Sequence, residues 1–369
     1  MAWRHGATSG GQSLLIETVS DAVYAQGHVL YLREDTLMAQ PFDLKRLALS
    51  GEAVPVAENV KSIGSQRRGV FSVSQNGMLV YQSGGSGGSH VLTWFDRAGT
   101  RVGALGGASD LRSVMLSPDG KRVATSVLDP TGHAFDLWLY DIARDLRTRF
   151  TFSASRSYLP AVWSPDGSSI AFAAYRDGKS AVFRKAKDLS GSDELLCDDP
   201  AMYPTSWSPD GKTILMVKTT GGNAADSGIF ALPLSGDRKP VAIAPAAVAP
   251  IAPRFSPDGR WIAYGSIESR RAEIYVVPYS GLGGKLQISA NGGVQARWRS
   301  DGKEIFYISP DGRLTAVEVK ANAASLEVGR VQPLFGNVAS GAGPNLYDVA
   351  PAASAFWSTY SPNAPLANR

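Results

Sequence analysis

Apolar residues in this chain fall in short runs closed by polar corners, not at the three- and four-residue spacing that makes one face of a helix. Ala161-Val162-Trp163 leads into Ser164-Pro165-Asp166-Gly167, then Ile170-Ala171-Phe172-Ala173-Ala174-Tyr175, and Arg176-Asp177-Gly178 turns the chain again. In the first corner proline presets φ at about −65°, aspartate can bond to nearby backbone, and glycine accepts the positive φ that follows. The pattern predicts two β-strands joined as a hairpin and then turned back.

That unit recurs. Its corner returns at Pro118-Asp119-Gly120, Pro209-Asp210-Gly211 and Pro257-Asp258-Gly259, each after a serine, with worn copies at Asn76-Gly77 and Asp301-Gly302. Gly77, Gly120, Gly167, Gly211, Gly259 and Gly302 stand 43, 47, 44, 48 and 43 residues apart, a period in the range of propeller blades. Further strand-like runs complete each unit: Arg122 to Val127, Asp136 to Asp141 and Leu146 to Phe152 after Gly120, and Trp261 to Gly265, Glu273 to Val277 and Lys285 to Ser289 after Gly259. With the strand before the corner each unit has four, as a blade does. The aromatic residues ahead of the corners, Trp163, Trp207, Phe255 and Trp298, read as filler between neighbouring blades.

The predicted fold class is all-β, a β-propeller of four-stranded antiparallel blades. A first unit lacks the corner but aligns with the Asp301-Gly302 unit, so units begin near residues 22, 70, 112, 158, 203, 251 and 294, with a partial one at 346. Seven blades is the preferred count, with eight or six as alternatives. Residues 1–12 are expected to be disordered, 13–352 to form the propeller and 353–369 to be an irregular tail. Closure pairs strands from both ends, because open edges invite other chains. Ser13 to Thr18 is expected as the outer strand of a blade whose inner strand is Leu346 to Val349.

Composition fits a folded chain: 44% of the 369 residues are hydrophobic and 19% charged. The net charge of +4 is scattered, and its densest basic run, Arg144 to Arg149, contains an acid, so solvated loops rather than a nucleic-acid partner are expected. Cys197 is the only cysteine, which excludes an internal disulfide and a multi-cysteine zinc site. Near the start, Leu14-Leu15-Ile16 is far shorter than a signal-peptide core of about 7 to 15 residues or a membrane span of about 20. Taken literally, the chain is expected to lack a membrane span and to be cytoplasmic.

The run from Trp163 to Phe172, Trp-Ser-Pro-Asp-Gly-x-x-Ile-Ala-Phe, resembles the WD40-like (PD40) repeat of TolB-type β-propellers, and the resemblance extends from Ala22 to about Phe335. More narrowly, Leu37 to Asp43, Leu92 to Arg97, Gly236 to Pro240, Phe255 to Tyr264 and Arg297 to Tyr307 resemble the C-terminal propeller region of bacterial membrane-anchored serine/threonine protein kinases. That resemblance implies an upstream kinase domain, a membrane span and an extracytoplasmic sensor. The chain departs from it: no glycine-rich loop, His-Arg-Asp or Asp-Phe-Gly is present, so kinase activity does not carry over. After Leu346 to Pro351 the expected Asp-Gly corner is lost. A sensor fragment, truncated or frame-altered at its end, is therefore expected.

Candidate chemistry is sparse. Asp119, Asp166, Asp210 and Asp258 each stand alone beside proline and glycine, whereas calcium loops gather several oxygens within about a dozen residues; turn capping is the reading, with no metal. Gly84-Gly85-Ser86-Gly87-Gly88 satisfies Gly-x-Ser-x-Gly but lies between strand patterns without the following helix that a hydrolase elbow needs. His5, His28, His90 and His133 make no close metal spacing. No catalytic residue, metal ligand or cofactor is therefore assigned. The expected function is a non-catalytic propeller that binds a protein or peptide, or a small ligand, as a sensory module. The alternative is a propeller enzyme or the gating part of a prolyl-oligopeptidase-like hydrolase. Candidate contact loops are Ser83 to His90, Asp129 to Phe135, Thr219 to Ser227 and Glu268 to Ala272.

Overall fold

The computed structural model describes residues 2–5, 12–16, 21–33, 36–58, 60, 62–63, 68–69, 71–73, 79–81, 90–128, 134–152, 160–176, 179–219, 227–244, 250–269, 271–281, 284–322, 325–336, 347–351 and 355–360. Every regular element among them is a strand, and no helix is long and apolar enough to cross a membrane. The chain divides into two compact units, Met1–Gly88 and Ser89–Arg369, where the sequence predicts one propeller over 13–352.

The second unit holds six four-stranded antiparallel sheets. Sheet A runs Arg101–Ser109, His90–Asp96, Ala355–Tyr360, Tyr347–Val349, and so is built from both ends of the unit. The others follow the chain: B from Met115–Leu116 to Leu146–Arg149, C from Ala161–Trp163 to Glu194–Cys197, D from Met202–Trp207 to Val241–Ala244, E from Ile251–Phe255 to Leu286–Gln287, and F from Val294–Trp298 to Leu326–Pro333. No strand ladder joins one of these sheets to the next, and their apolar faces bury against their neighbours. Trp357 meets Leu116 and Tyr140 between A and B, and Phe172 meets Leu137 between B and C. Val182 meets Met216 between C and D, and Leu215 meets Phe255 between D and E. Val276 meets Tyr307 between E and F, and Phe306 meets Tyr347 and Phe356 between F and A. The ring is closed, and the first strands of B to F, with Tyr347–Val349 of A, touch in order around its inner side.

In the first unit, Ala22–Ala25, His28–Arg33 and Thr36–Asp43 form one sheet, in which both Ala48–Leu49 and Val54–Ala57 pair with Thr36–Asp43. Leu32 and Leu37 are fully buried there with Val60. Counting this five-stranded sheet, the described residues hold seven blade-sized sheets.

Closure differs from the expected pairing. Tyr347–Val349 is at the inner edge of sheet A, but the outer strand is Arg101–Ser109, while Gln12–Ile16 pairs with Ala2–His5. Residues 1–12 and 353–369 thus contain strands where disorder and an irregular tail are predicted. The unit beginning near residue 70 is divided too: Phe71–Val73 pairs with Leu79–Tyr81 in a sheet of its own, and His90–Asp96 pairs with Ala355–Tyr360. The physical reason is side-chain choice. Trp94 stands directly opposite Trp357 and meets it edge to face at 4.6 Å, an arrangement that stabilises cross-strand aromatic pairs.

Candidate functional site

The corners are assembled the same way four times. Ser117, Ser164, Ser208 and Ser256 each donate a hydroxyl to the aspartate two residues on, at 2.5 to 2.6 Å. The same serine oxygens accept the backbone N–H five residues on, at 2.9 Å. Hydrogen bonds from Ser164 and from the Ser168 backbone and hydroxyl hold Asp166 down at about 2, and those from Arg299 hold Asp301 at about 2 against burial. Asp119 and Asp210 are lowered by their serines in the same way; at Asp258 burial opposes, but the Ser256, Arg260 and backbone bonds prevail.

Successive corners also touch. A methyl group placed on Gly167 would lie 3.6 Å from Pro118, on Gly211 3.7 Å from Pro165, on Gly259 3.5 Å from Pro209, on Gly302 3.9 Å from Pro257, and on Gly120 3.4 Å from Pro351. Only the F-to-A step lacks this contact, since Ser300 stands where the other corners have proline; there the Ser300 hydroxyl donates to the Pro351 carbonyl at 2.6 Å. Among the described residues no group of three or more His, Cys, Asp or Glu is placed to hold a metal.

A second set of residues lies on the inner strands. The position before each corner aromatic, or its equivalent, is Met115, Val162, Ser206, Arg254, Arg297 and Asp348 in sheets B, C, D, E, F and A. Ser206 accepts the Phe255 N–H at 3.1 Å and Asp348 accepts the Leu116 N–H at 2.8 Å, so each ties its sheet to the next. Arg297, 4% exposed, approaches Asp348 at 3.5 Å. Burial and then the neighbouring Arg297 lower Arg254 to about 9. Burial raises the Tyr347 phenol, which donates to the Gln295 carbonyl at 2.9 Å. Ala252 and Gln295, each two residues before an arginine, have φ of 45° and 60° where the strand register slips, a strained conformation held by the surrounding ring.

The third feature is a groove of about 930 Å³ at the corner end of sheets E and F. Its floor includes Trp261, Trp298, Val319 and Val328, and its rim carries Lys303, Lys320, Glu318 and Glu327. Arg260 pairs with Asp258 at 2.7 Å, and Arg299 with Glu304 at 2.7 Å and with Asp301. The indole N–H groups of Trp163 and Trp207 donate to the Met115 and Gly211 carbonyls at 3.1 Å. Those of Trp261 and Trp298 are buried with no acceptor among the described residues.

Of the aromatics named from the sequence, Trp163 packs between B and C, Trp207 between C and D, Phe255 between D and E, and Trp298 between E and F. The corners Pro118 to Gly120, Pro165 to Gly167, Pro209 to Gly211, Pro257 to Gly259 and Asp301-Gly302 form the interlocked series. Asn76, Gly77, the Gly84 to Gly88 stretch, His133 and most of the four candidate loops lie outside the described residues. The inner arginines and Trp261 are functional candidates that single-unit reading misses. Aligning the units marks them, because Arg254 and Arg297 replace Val162 and Ser206, and Trp261 replaces Arg122, Ser169 and Thr213.

No family model and no curated protein matches the chain. Among solved structures, the putative TolB from Agrobacterium tumefaciens is similar with a TM-score of 0.56 at 18% identity, over 74% of this chain and 99% of that one. TolB from Acinetobacter baumannii gives a TM-score of 0.48 at 14% identity, over 90% and 78%. A structure from a study of two prolyl endopeptidases gives 0.47 at 13%, over 89% and 51%. The first likeness shows the fold, a TolB-like β-propeller.

Proposed function

We propose that the chain is a non-catalytic binding module which holds a protein or peptide, with a small ligand as the alternative occupant, and that it serves as the extracytoplasmic sensing part of a receptor-type serine/threonine kinase. The observation that carries the binding reading is how its polar groups are used. Asp136 is held by Thr151 at 2.7 Å and by Arg149. Glu273 is held by Arg271 at 2.6 Å, by the Gly292 N–H at 2.9 Å and by Ser289. Glu304 is held by Arg97 and Arg299. Carboxylates committed in this way are poorly placed to shuttle protons. The groove between E and F is instead a recess of about 930 Å³ with Trp261, Trp298 and Val319 in its lining and Lys303, Lys320, Glu318 and Glu327 around them, a mix of apolar surface and a few polar groups that suits a ligand.

The sensing reading rests on the kinase-propeller resemblance of the sequence segments named above. Incubated with peptide, ester and glycan panels, the purified chain is expected to give no turnover above buffer and no labelling by a fluorophosphonate serine probe. Turnover that disappears on one substitution at an inner-strand residue would overturn the binding reading. A transcript that joins this propeller to a kinase domain would support the receptor assignment, and one on which no kinase is encoded would remove it.

A further inference from the structure

We propose that the inner side of the ring, where sheets E, F and A meet, binds a carboxylate, which Arg254 and Arg297 hold between them. This rests on the reading of the chain as a binding module and names the group that the module takes. Three consecutive inner strands, Ile251–Phe255, Val294–Trp298 and Tyr347–Val349, touch in order and carry Arg254, Arg297 and Asp348 at one equivalent position. Side chains at that position reach the next sheet round the ring: Ser206 of D accepts the Phe255 N–H of E, Arg297 of F approaches Asp348 of A, and Asp348 accepts the Leu116 N–H of B. Their counterparts in B and C, Met115 and Val162, are buried in apolar clusters, so the charged groups occupy one side of the ring only. Inner strands have a sheet on either flank. The open part of Arg254 and Asp348, both half-buried, is therefore reached from the axis of the ring.

The chemistry of these groups says what fits. Two guanidiniums stand with one carboxylate, which leaves one positive charge in excess at this position. The carboxylate is already divided: Oδ2 takes the Leu116 N–H at 2.8 Å, and Oδ1 takes the Val349 N–H at 3.0 Å and faces Arg297. Burial, then the charge of Arg297, lower Arg254 to about 9 despite Asp348, so both arginines are cationic at neutral pH. The nearest corner aspartates, Asp258 and Asp301, are committed to their own corners through Ser256, Arg260 and Arg299. A guanidinium presents its N–H groups as a planar fork that matches the two oxygens of a carboxylate. A monoanion neutralises the excess, whereas a phosphate dianion would set surplus negative charge beside Asp348. The backbone agrees: Ala252 and Gln295, two residues before the arginines, have φ of 45° and 60°, and the equivalent Ser113, Pro160 and Pro204 of B, C and D do not share that conformation. Strain of this kind gathers at ligand sites.

Calorimetric titration of the purified chain at fixed ionic strength tests this, with acetate as the bare group beside trialanine and trialanine amide. Acetate is expected to bind saturably and to raise the melting temperature, and the amide is expected not to bind. Trialanine that binds more tightly than acetate would make the source a chain end, and trialanine no tighter than acetate would make it a small acid. Affinity should fall at least about tenfold in Arg254→Met, which should melt no lower than the parent because it removes one of two neighbouring buried cations. Asp348→Asn should instead bind acetate more tightly and admit inorganic phosphate, a change that a purely structural role for the cluster would not produce. No saturable binding of acetate or trialanine, or binding undiminished in Arg254→Met, would overturn the site and leave the binding-module reading standing, since that reading falls only to the turnover assay.

Discussion

At the scale of single residues, the serine and glycine of each corner have roles that near neighbours cannot fill. Gly211 has φ of 75°, and the contact its Cβ would make with Pro165, at 3.7 Å, is ordinary. Gly211→Ala should therefore cost only the backbone strain, about 1–3 kcal/mol, measured as a fall in urea midpoint at constant m. At Gly106 a Cβ would lie 2.7 Å from the Tyr140 ring, which is 2% exposed. Gly106→Ala should cost more than Gly211→Ala in the same assay, because clash adds to strain. Ser208→Ala removes both the hydroxyl that Asp210 accepts and the oxygen that the Thr213 N–H donates to; because Asp210 is exposed and Thr213 half-buried, water can replace part of this and a loss of about 0.5–1.5 kcal/mol is expected. The hairpin role of the corner is legible in five consecutive residues. Its second role, proline of one corner against glycine of the next, joins residues a whole repeat apart and is invisible until the ring is formed. The same holds for Arg254, Arg297 and Asp348, which become neighbours only because three units present one position to the inside.

At the scale of elements, sheet A is the informative case. It takes Arg101–Ser109 and His90–Asp96 from one end of the unit and Ala355–Tyr360 and Tyr347–Val349 from the other. Ala355, Phe356 and Trp357 are 6%, 1% and 3% exposed, so this strand is packed as tightly as any in the ring. Its sequence gives little warning, since it follows a corner that has lost its Asp-Gly and carries no turn signal of its own. A pattern reading sees a strand most readily where a hairpin frames it, and here the partner strand is His90–Asp96, far back in the chain. Trp357→Ala should cost about 3–5 kcal/mol, as for other buried large aromatics. Removal of residues 355–360 should do something different in kind: His90–Asp96 would become an unpaired edge, and such edges recruit other chains. Sedimentation velocity should show the parent second unit as a sharp species and the shortened one as oligomers.

At the scale of the whole ring, one joint differs from the other five. Between F and A the proline-to-glycine contact is missing, and polar and aromatic links stand in its place. Arg97 of sheet A reaches Glu304 of sheet F through two bonds of 2.6 and 3.0 Å, Ser300 reaches Pro351, and Phe356 packs edge to face with Phe306 at 5.1 Å. Burial alone would raise the Glu304 carboxyl, but the bonds from Arg97 and Arg299 outweigh it and hold it below its ordinary value of 4.5. A carboxyl lowered in the folded state contributes its stability in full above the unfolded value and loses it as pH falls through the lower, folded one. Glu304→Gln should therefore melt below the parent at pH 7, by an amount equivalent to about 1–2 kcal/mol for charge-assisted bonds to partly exposed arginines, and the two should converge as pH drops below about 4.5. If the joint is where the ring opens, hydrogen exchange at pH 7 in Glu304→Gln should speed up in Tyr347–Val349 and Ala355–Tyr360 and leave the inner strands of C and D unchanged. Uniform acceleration in all six sheets would instead make Glu304 a contributor to global stability with no special part in closure.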